Sequence, residues 1–148
     1  MQFTWSRFEQ LGVDNLHDAL QLRSRVFILE QGPYLDVDGN DRASWHLLGR
    51  DEAQRLQAYL RVVDPGVKYA EPSIGRVVTA PEVRGTGLGR TLMAEGLAGC
   101  ALRWPGRSIR ISAQARLQRF YTELGFCSVG DEYLEDSIPH LEMLWRPA

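Results

Sequence analysis

Ile74-Gly75-Arg76-Val77-Val78-Thr79-Ala80, followed shortly by Arg84-Gly85-Thr86-Gly87-Leu88-Gly89-Arg90, is the stretch on which the reading of this chain turns. The first segment is apolar and rich in β-branched residues, as a strand is. In the second, three glycines at alternate positions open backbone angles closed to other residues and let bare N–H groups approach a ligand. From about Gly87 to Leu102, Leu88, Leu92, Met93, Leu97 and Ala101 recur at near-helical spacing, and no proline intervenes before Pro105. The pattern predicts strand, glycine turn, helix. A helix starting at such a turn offers unpaired N–H donors and a positive dipole end, which suit phosphate or pyrophosphate. Arg84 and Arg90 add positive charge on either side.

The spacing departs from two nucleotide-binding signatures. Gly85, Gly87 and Gly89 follow G-x-G-x-G rather than G-x-G-x-x-G, and a phosphate loop would need a lysine where the chain has only the distant Lys68. Taken alone, the turn is read equally well as a connector. Further along, Ser108-Ile109-Arg110-Ile111-Ser112-Ala113 alternates polar and apolar like a half-buried strand. Leu117, Phe120, Tyr121 and Leu124 then fall at i, i+3, i+4 and i+7, a helix stripe that Gly125 ends.

Working outward, residues 3–9 read as a first strand. Asp14 or Asn15 caps a predicted helix reaching about Glu30, with Leu16, Leu20, Arg23 and Phe27 on neighbouring turns. Gly32-Pro33 breaks it before an acidic loop. Residues 44–49 and 56–63 form a predicted hairpin, 74–80 and 108–113 the next two strands, and 127–133 with 140–145 a closing antiparallel pair. The class is α/β (α+β). At 148 residues the chain fits one domain, 1–148, and carries no repeat or linker.

Hydrophobic content of 44% and a net charge of −2 suit a globular protein and argue against electrostatic affinity for nucleic acid. Cys100 and Cys127 have no metal or redox spacing and are expected to be buried thiols. With no signal sequence or membrane-length apolar run in view, a cytoplasmic location without membrane attachment is expected.

Taken together, R-x-x-G-x-G after a strand (Arg84, Gly87, Gly89) and F-Y-x-x-x-G-F after another (Phe120, Tyr121, Gly125, Phe126) resemble the GNAT superfamily of acetyl-CoA-dependent N-acetyltransferases. The stretch 22–31, with 33–41 and Ile138-Pro139-His140, is similar to the ElaA-like branch, so the likeness runs from about Leu20 to Met143. It implies a mixed, mostly antiparallel sheet of about six to seven strands, splayed between strands four and five and flanked by about four helices. Acetyl-CoA would enter that splay. Its pyrophosphate would lie on the N–H groups of Gly85, Thr86, Gly87, Leu88, Gly89 and Arg90, and its pantetheine arm along Val77, Val78 and Thr79. Arg84 and Phe120 belong to the same implied cofactor site. Gln114 stands where relatives tend to carry Asn, with an amide able to make similar hydrogen bonds from a longer side chain.

The implied chemistry is direct attack of a primary amine on the thioester, with Tyr121 at the position from which relatives protonate the departing thiolate. By its place on the helix stripe, Tyr121 is equally a core aromatic. Among candidate bases, His46 and His140 have suitable intrinsic pKa values, and Glu30 and Glu82 could act through water. His46 is preferred, as base or as substrate contact, because it sits in a predicted strand opposite the acidic loop. That loop, Asp36-Val37-Asp38-Gly39-Asn40-Asp41, lacks the EF-hand pattern, having Asp41 and Leu47 where Gly and Glu are required, so no metal is expected. It reads as a solvated turn or, with Glu30 and Tyr34, as a negative rim attracting a cationic acceptor. The expected partners are acetyl-CoA and an amine-bearing small molecule or peptide, on a monomer or homodimer. A non-catalytic acyl-CoA-binding or sensing module of the same fold is the alternative, and an unrelated domain binding ATP or NAD a weaker third.

Overall fold

The computed structural model describes residues 1–147. Seven strands and three α-helices follow in the order β1 Gln2–Arg7, α1 Gly12–Arg23, β2 Ser44–Arg50, β3 Leu56–Val63, β4 Ser73–Thr79, α2 Leu88–Arg103, β5 Ile109–Gln114, α3 Gln118–Glu123, β6 Phe126–Glu135 and β7 Ile138–Trp145. The strands form two antiparallel sheets, β1-β2-β3-β4 and β5-β7-β6. Three α-helices stand where about four were expected. The α/β class and the splay between the fourth and fifth strands are as the resemblance implied. β4 and β5 start side by side, where Arg110 N–H donates to Pro72 O at 3.1 Å. Beyond that point they belong to separate sheets.

β3 shows why the first sheet is sandwiched. Ala58, Leu60 and Val62 share one core with Leu92, Met93 and Cys100 of α2, while Tyr59, on the opposite face, packs with Ala19 and Leu22 of α1. Alternate residues of a strand point to opposite faces, so burial on both faces demands the near-continuous apolar run seen there. α1 meets the sheet through Ala19, Leu22 and Arg23, and the same stripe continues in Val26 and Phe27. After Arg23 the helix widens into a single π-type turn, Ser24–Ile28, in which Leu29 N–H bonds Ser24 O at 3.1 Å.

α2 lies close to the sheet because it has glycine where it crosses. A Cβ on Gly99 would stand 2.2 Å from the Trp5 ring, and one on Gly96 would stand 2.9 Å from Leu60. In the second sheet β6 and β7 are joined through Asp136 and Ser137, both at positive φ, the backbone of a tight two-residue hairpin turn. Cys100 is buried as expected, but Cys127 on β6 is exposed, which corrects that half of the expectation. No helix is long and apolar enough to cross a membrane among the described residues.

Candidate active site

The splay encloses a cavity of about 110 Å³. Its walls come from β4 (Gly75, Arg76, Val77) and β5 (Ile111, Ser112, Ala113, Gln114). Tyr121 and Leu117 close one side, and Tyr34, Glu135 and His140 face it from the acidic loop and the β6–β7 hairpin. Tyr121 is held edge-on between Phe120 and Phe126, with ring centroids at 5.1 and 5.7 Å. Burial pushes its phenol up to about 12, so at neutral pH the hydroxyl is a proton donor. Tyr34 is pushed up to about 12 as well, again chiefly by burial, and Arg76 lies over its ring at 5.6 Å.

β4 is irregular at this wall. Tyr59 pairs with Val78 and Arg61 with Gly75, which leaves Arg76 and Val77 opposite Leu60 alone. Arg76 takes φ +50, a left-handed backbone rarely adopted by a residue with a long side chain. Such strain persists where surrounding contacts over-determine it. Here Arg76 Nη2 donates to Asp36 O at 3.1 Å and Asp38 Oδ2 at 3.2 Å. Its Nε lies 2.9 Å from Asp36 Oδ1 as an ion pair, without a hydrogen bond.

Those carboxylates belong to a larger network. Arg23 binds Asp36 at 2.9 Å and Asp41 at 2.8 Å, and Arg61 binds Asp41 at 2.9 Å and Asp38 at 2.7 Å. Burial by itself would raise Asp38 and Asp41; the hydrogen bonds and charges of Arg61 and Arg23 outweigh it and pull both below the usual carboxylate range. The acidic loop is therefore neither a solvated turn nor an open negative rim. Three aspartates are spent on three arginines, of which Arg61 and Arg76 line the cavity. The clue in the sequence was Arg61 within Ala58-Tyr59-Leu60-Arg61-Val62-Val63, since a guanidinium in a buried strand needs a carboxylate.

Two expected site residues lie elsewhere. His46 is buried, its Nε2 is 2.8 Å from Asp41 O and its Nδ1 2.7 Å from Tyr59 OH. A carbonyl only accepts, so Nε2 carries the proton and Tyr59 donates to Nδ1. Burial lowers the His46 pKa and keeps the ring neutral. With both nitrogens engaged and no part in the cavity wall, His46 is a structural bridge between β2, β3 and the acidic loop. Glu30 does not line the cavity either; it is exposed and bound to Arg84 at 2.6 Å. Glu82 is paired with Arg25 at 2.8 Å.

The glycine turn sits past the end of β4, at the N-terminus of α2. Gly85 and Gly87 have φ +80 and +83, and a Cβ on either would meet nothing within 4 Å. No side chain caps the helix. The first N–H groups of α2 therefore face outward at an exposed turn, a surface that fits a pyrophosphate. A Cβ on Gly89 would stand 3.8 Å from the Phe120 ring, which carries Arg90 over its face, while Arg90 also pairs with Glu123. Gln114 bridges the wedge: its Nε2 donates to Gln31 Oε1 at 3.0 Å, and its Oε1 accepts from Arg116 at 2.9 Å.

Residues 43–147 match the acetyltransferase (GNAT) domain family. The chain belongs to the GNAT family. It is 44% identical over 147 residues to a UPF0039 protein of Synechocystis sp., covering 99% of this chain and 96% of that one. An acyl-CoA N-acyltransferase of Pseudomonas aeruginosa superposes with TM-score 0.92 at 39% identity, covering 97% and 98% of the two chains. Escherichia coli ElaA superposes with TM-score 0.90 at 36% identity, covering 98% and 99%. This GNAT protein is thus an ElaA-like acyltransferase by fold and family. The splayed strands, the uncapped glycine turn and the cavity with Tyr121 are the parts such chemistry has to work with.

Proposed function

We propose that this protein transfers an acetyl group from acetyl-CoA to a primary amine by direct attack within a ternary complex, acting as a single cytoplasmic domain. The observation that carries the reading is the cavity between β4 and β5, with the protonated Tyr121 on its wall and the uncapped α2 N-terminus beyond the end of β4.

Acetyl-CoA would supply the acyl group as an activated thioester. The N–H groups from Gly85 to Arg90 hold the pyrophosphate, and Arg84 and Arg90 neutralise it. Val77, Val78 and Thr79, on the β4 side that faces the splay, pair with the pantetheine arm as an added strand. A backbone N–H near Val78, close to the irregularity at Arg76, polarises the thioester carbonyl. Gln114 steadies the arm from β5. Tyr121 gives its proton to the leaving sulfur. Holding both reactants in one wedge supplies much of the acceleration. Tyr34 belongs to the acceptor side.

Titration calorimetry with acetyl-CoA, CoA, ATP and NAD tests the cofactor. Binding is expected for the two CoA species only, and Gly87→Val should weaken it about tenfold or more, because φ +83 is closed to valine and the turn must move. Binding without turnover against any amine in a broad panel would favour the sensing module instead. Binding of neither CoA species would overturn both readings.

A further inference from the structure

Most nitrogen groups on the cavity wall already have partners. Arg61 is paired with Asp38 and Asp41, and Arg76 with Asp36 and Asp38. His140 is occupied too: its Nδ1 is 2.7 Å from Ile138 O and its Nε2 3.4 Å from Glu135 Oε2, so no free lone pair faces the cavity. Gln114 and Gln31 bond each other at 3.0 Å. Lys68 is the exception. It lines the cavity, and its ammonium makes neither a hydrogen bond nor an ion pair among the described residues; Nζ stands over the Tyr69 ring at 5.4 Å.

Lys68 is also the single lysine of the chain. It lies on the connection between β3 and β4, residues 64–72, and that connection is tied down. Gly66 N–H donates to Tyr69 O at 2.7 Å, Arg107 donates to Ala70 O at 3.0 Å, and Arg110 pairs with Glu71 at 3.0 Å. The backbone is thus held beside the cavity, while the side chain keeps the freedom of an unpaired lysine. Partial burial lowers the Lys68 pKa; Glu135 opposes this, and the charges of Arg61 and Arg76 add to it. A larger share of the amine is therefore neutral than for a lysine in water, and the neutral amine is the nucleophile.

We propose that Lys68 is an internal acceptor, acetylated by its own active site when no other amine is bound; the assignment rests on the acetyl-transfer reading. The cavity that Lys68 lines is the one walled by Val77 and Tyr121, where that reading lays the thioester. The ammonium first gives one proton to solvent. The lone pair of Nζ then attacks the thioester carbonyl carbon, the C–N bond forms and the C–S bond breaks. The sulfur leaves with the electron pair and takes the proton of Tyr121, and the second proton shed by the new amide nitrogen restores Tyr121 through water. Ammonium plus thioester gives amide, thiol and one proton. The modification removes the cation that no carboxylate balances and leaves Glu135 and Asp136 on the wall.

Mass spectrometry of the intact protein and its peptides, after incubation with acetyl-CoA and no added amine, tests the site. One acetyl group is expected on Lys68, and none at that position in Lys68→Arg. Model α-amino groups lose their proton well below model lysines, so uncatalysed acetylation favours the N-terminal amine, and Lys68 reacting first marks the active site at work. The rate per molecule should not change with protein concentration, as for a reaction within one chain, and Tyr121→Phe should slow it about 10²-fold. Acetylation of the N-terminus ahead of Lys68, a rate that rises with protein concentration, or an undiminished rate in Tyr121→Phe would overturn the assignment. An amine panel run alongside separates the two claims. Amines acetylated while Lys68 stays unmodified would sink the internal acceptor alone; acetylation of neither would remove the acetyl-transfer reading with it.

Discussion

Tyr121 shows how one residue can satisfy two readings at once. Its ring completes the core between Phe120 and Phe126, and the same residue lines the cavity. The helix stripe predicts the first role from spacing alone; the second depends on where β5 and α3 meet. Tyr121→Phe keeps the packing and removes the proton donor. It is expected to lower kcat about 10²-fold with little change in affinity for acetyl-CoA, measured by steady-state kinetics beside calorimetry. The sign of the pH effect follows from burial. A phenol pushed up to about 12 stays protonated through the neutral range, so Tyr121 adds no alkaline limb to the wild-type profile until pH nears that value. His46 illustrates the opposite outcome. A histidine in a strand beside an acidic loop has the composition of a base, but Tyr59 and Asp41 occupy both nitrogens.

At the level of the elements, α2 and β4 are placed by features with different visibility. The α2 stripe and its glycine turn stand out in the sequence, and the helix begins at Leu88 as the pattern predicts. How closely the helix approaches the sheet is legible only in three dimensions, where Gly99 accommodates Trp5. Gly99→Ala therefore separates local from tertiary effects. Helix propensity favours alanine by about 1 kcal/mol. A Cβ 2.2 Å from the Trp5 ring forces a displacement, and Arg103 stacks on the same ring at 4.5 Å, so the ring is not free to yield. The net expectation is a loss of about 1–3 kcal/mol in urea denaturation, opposite in sign to propensity. β4 carries the other concealed feature. Nothing in Ile74-Gly75-Arg76-Val77 announces a left-handed arginine; it follows from pairing Tyr59 with Val78 and Arg61 with Gly75, one residue out of step.

Across the whole protein, the buried ion network couples the acidic loop, α1, β3 and β4. Its pH dependence has a definite sign. Asp38 and Asp41 are held below their ordinary values, so their contribution is full above the usual carboxylate range and fades as pH falls through it. Thermal midpoints measured from neutral pH downward should therefore drop steeply below about pH 4. Asp41→Asn should flatten that drop and cost about 3–5 kcal/mol at neutral pH, because Arg23 and Arg61 each lose a buried partner. An unchanged acid slope in the variant would contradict the assignment. The network also explains why an Asp-rich loop beside the cavity presents so little free charge to it.

Local sequence was sufficient wherever the physics is local. The alternation of β5, the stripe of α3, the glycine turn and the two hairpins each depend on residues within one turn or one strand, and their bounds lie within a few residues of the structure. Motif spacing added the family and with it the splay, and the family match over residues 43–147 agrees. What lay beyond reach were contacts between residues distant in the chain. Arg61 meets Asp38 across 23 positions, Gln114 meets Gln31 across 83, and His140 and Tyr121 share a cavity because β5, α3 and β7 converge. Whether a histidine is a bridge or a base, and whether an aspartate is a rim charge or a buried counter-ion, depends on the partners that packing brings within about 3 Å. A linear pattern specifies residue types and periods; only the folded chain decides which polar groups already have a partner and which are left free to act.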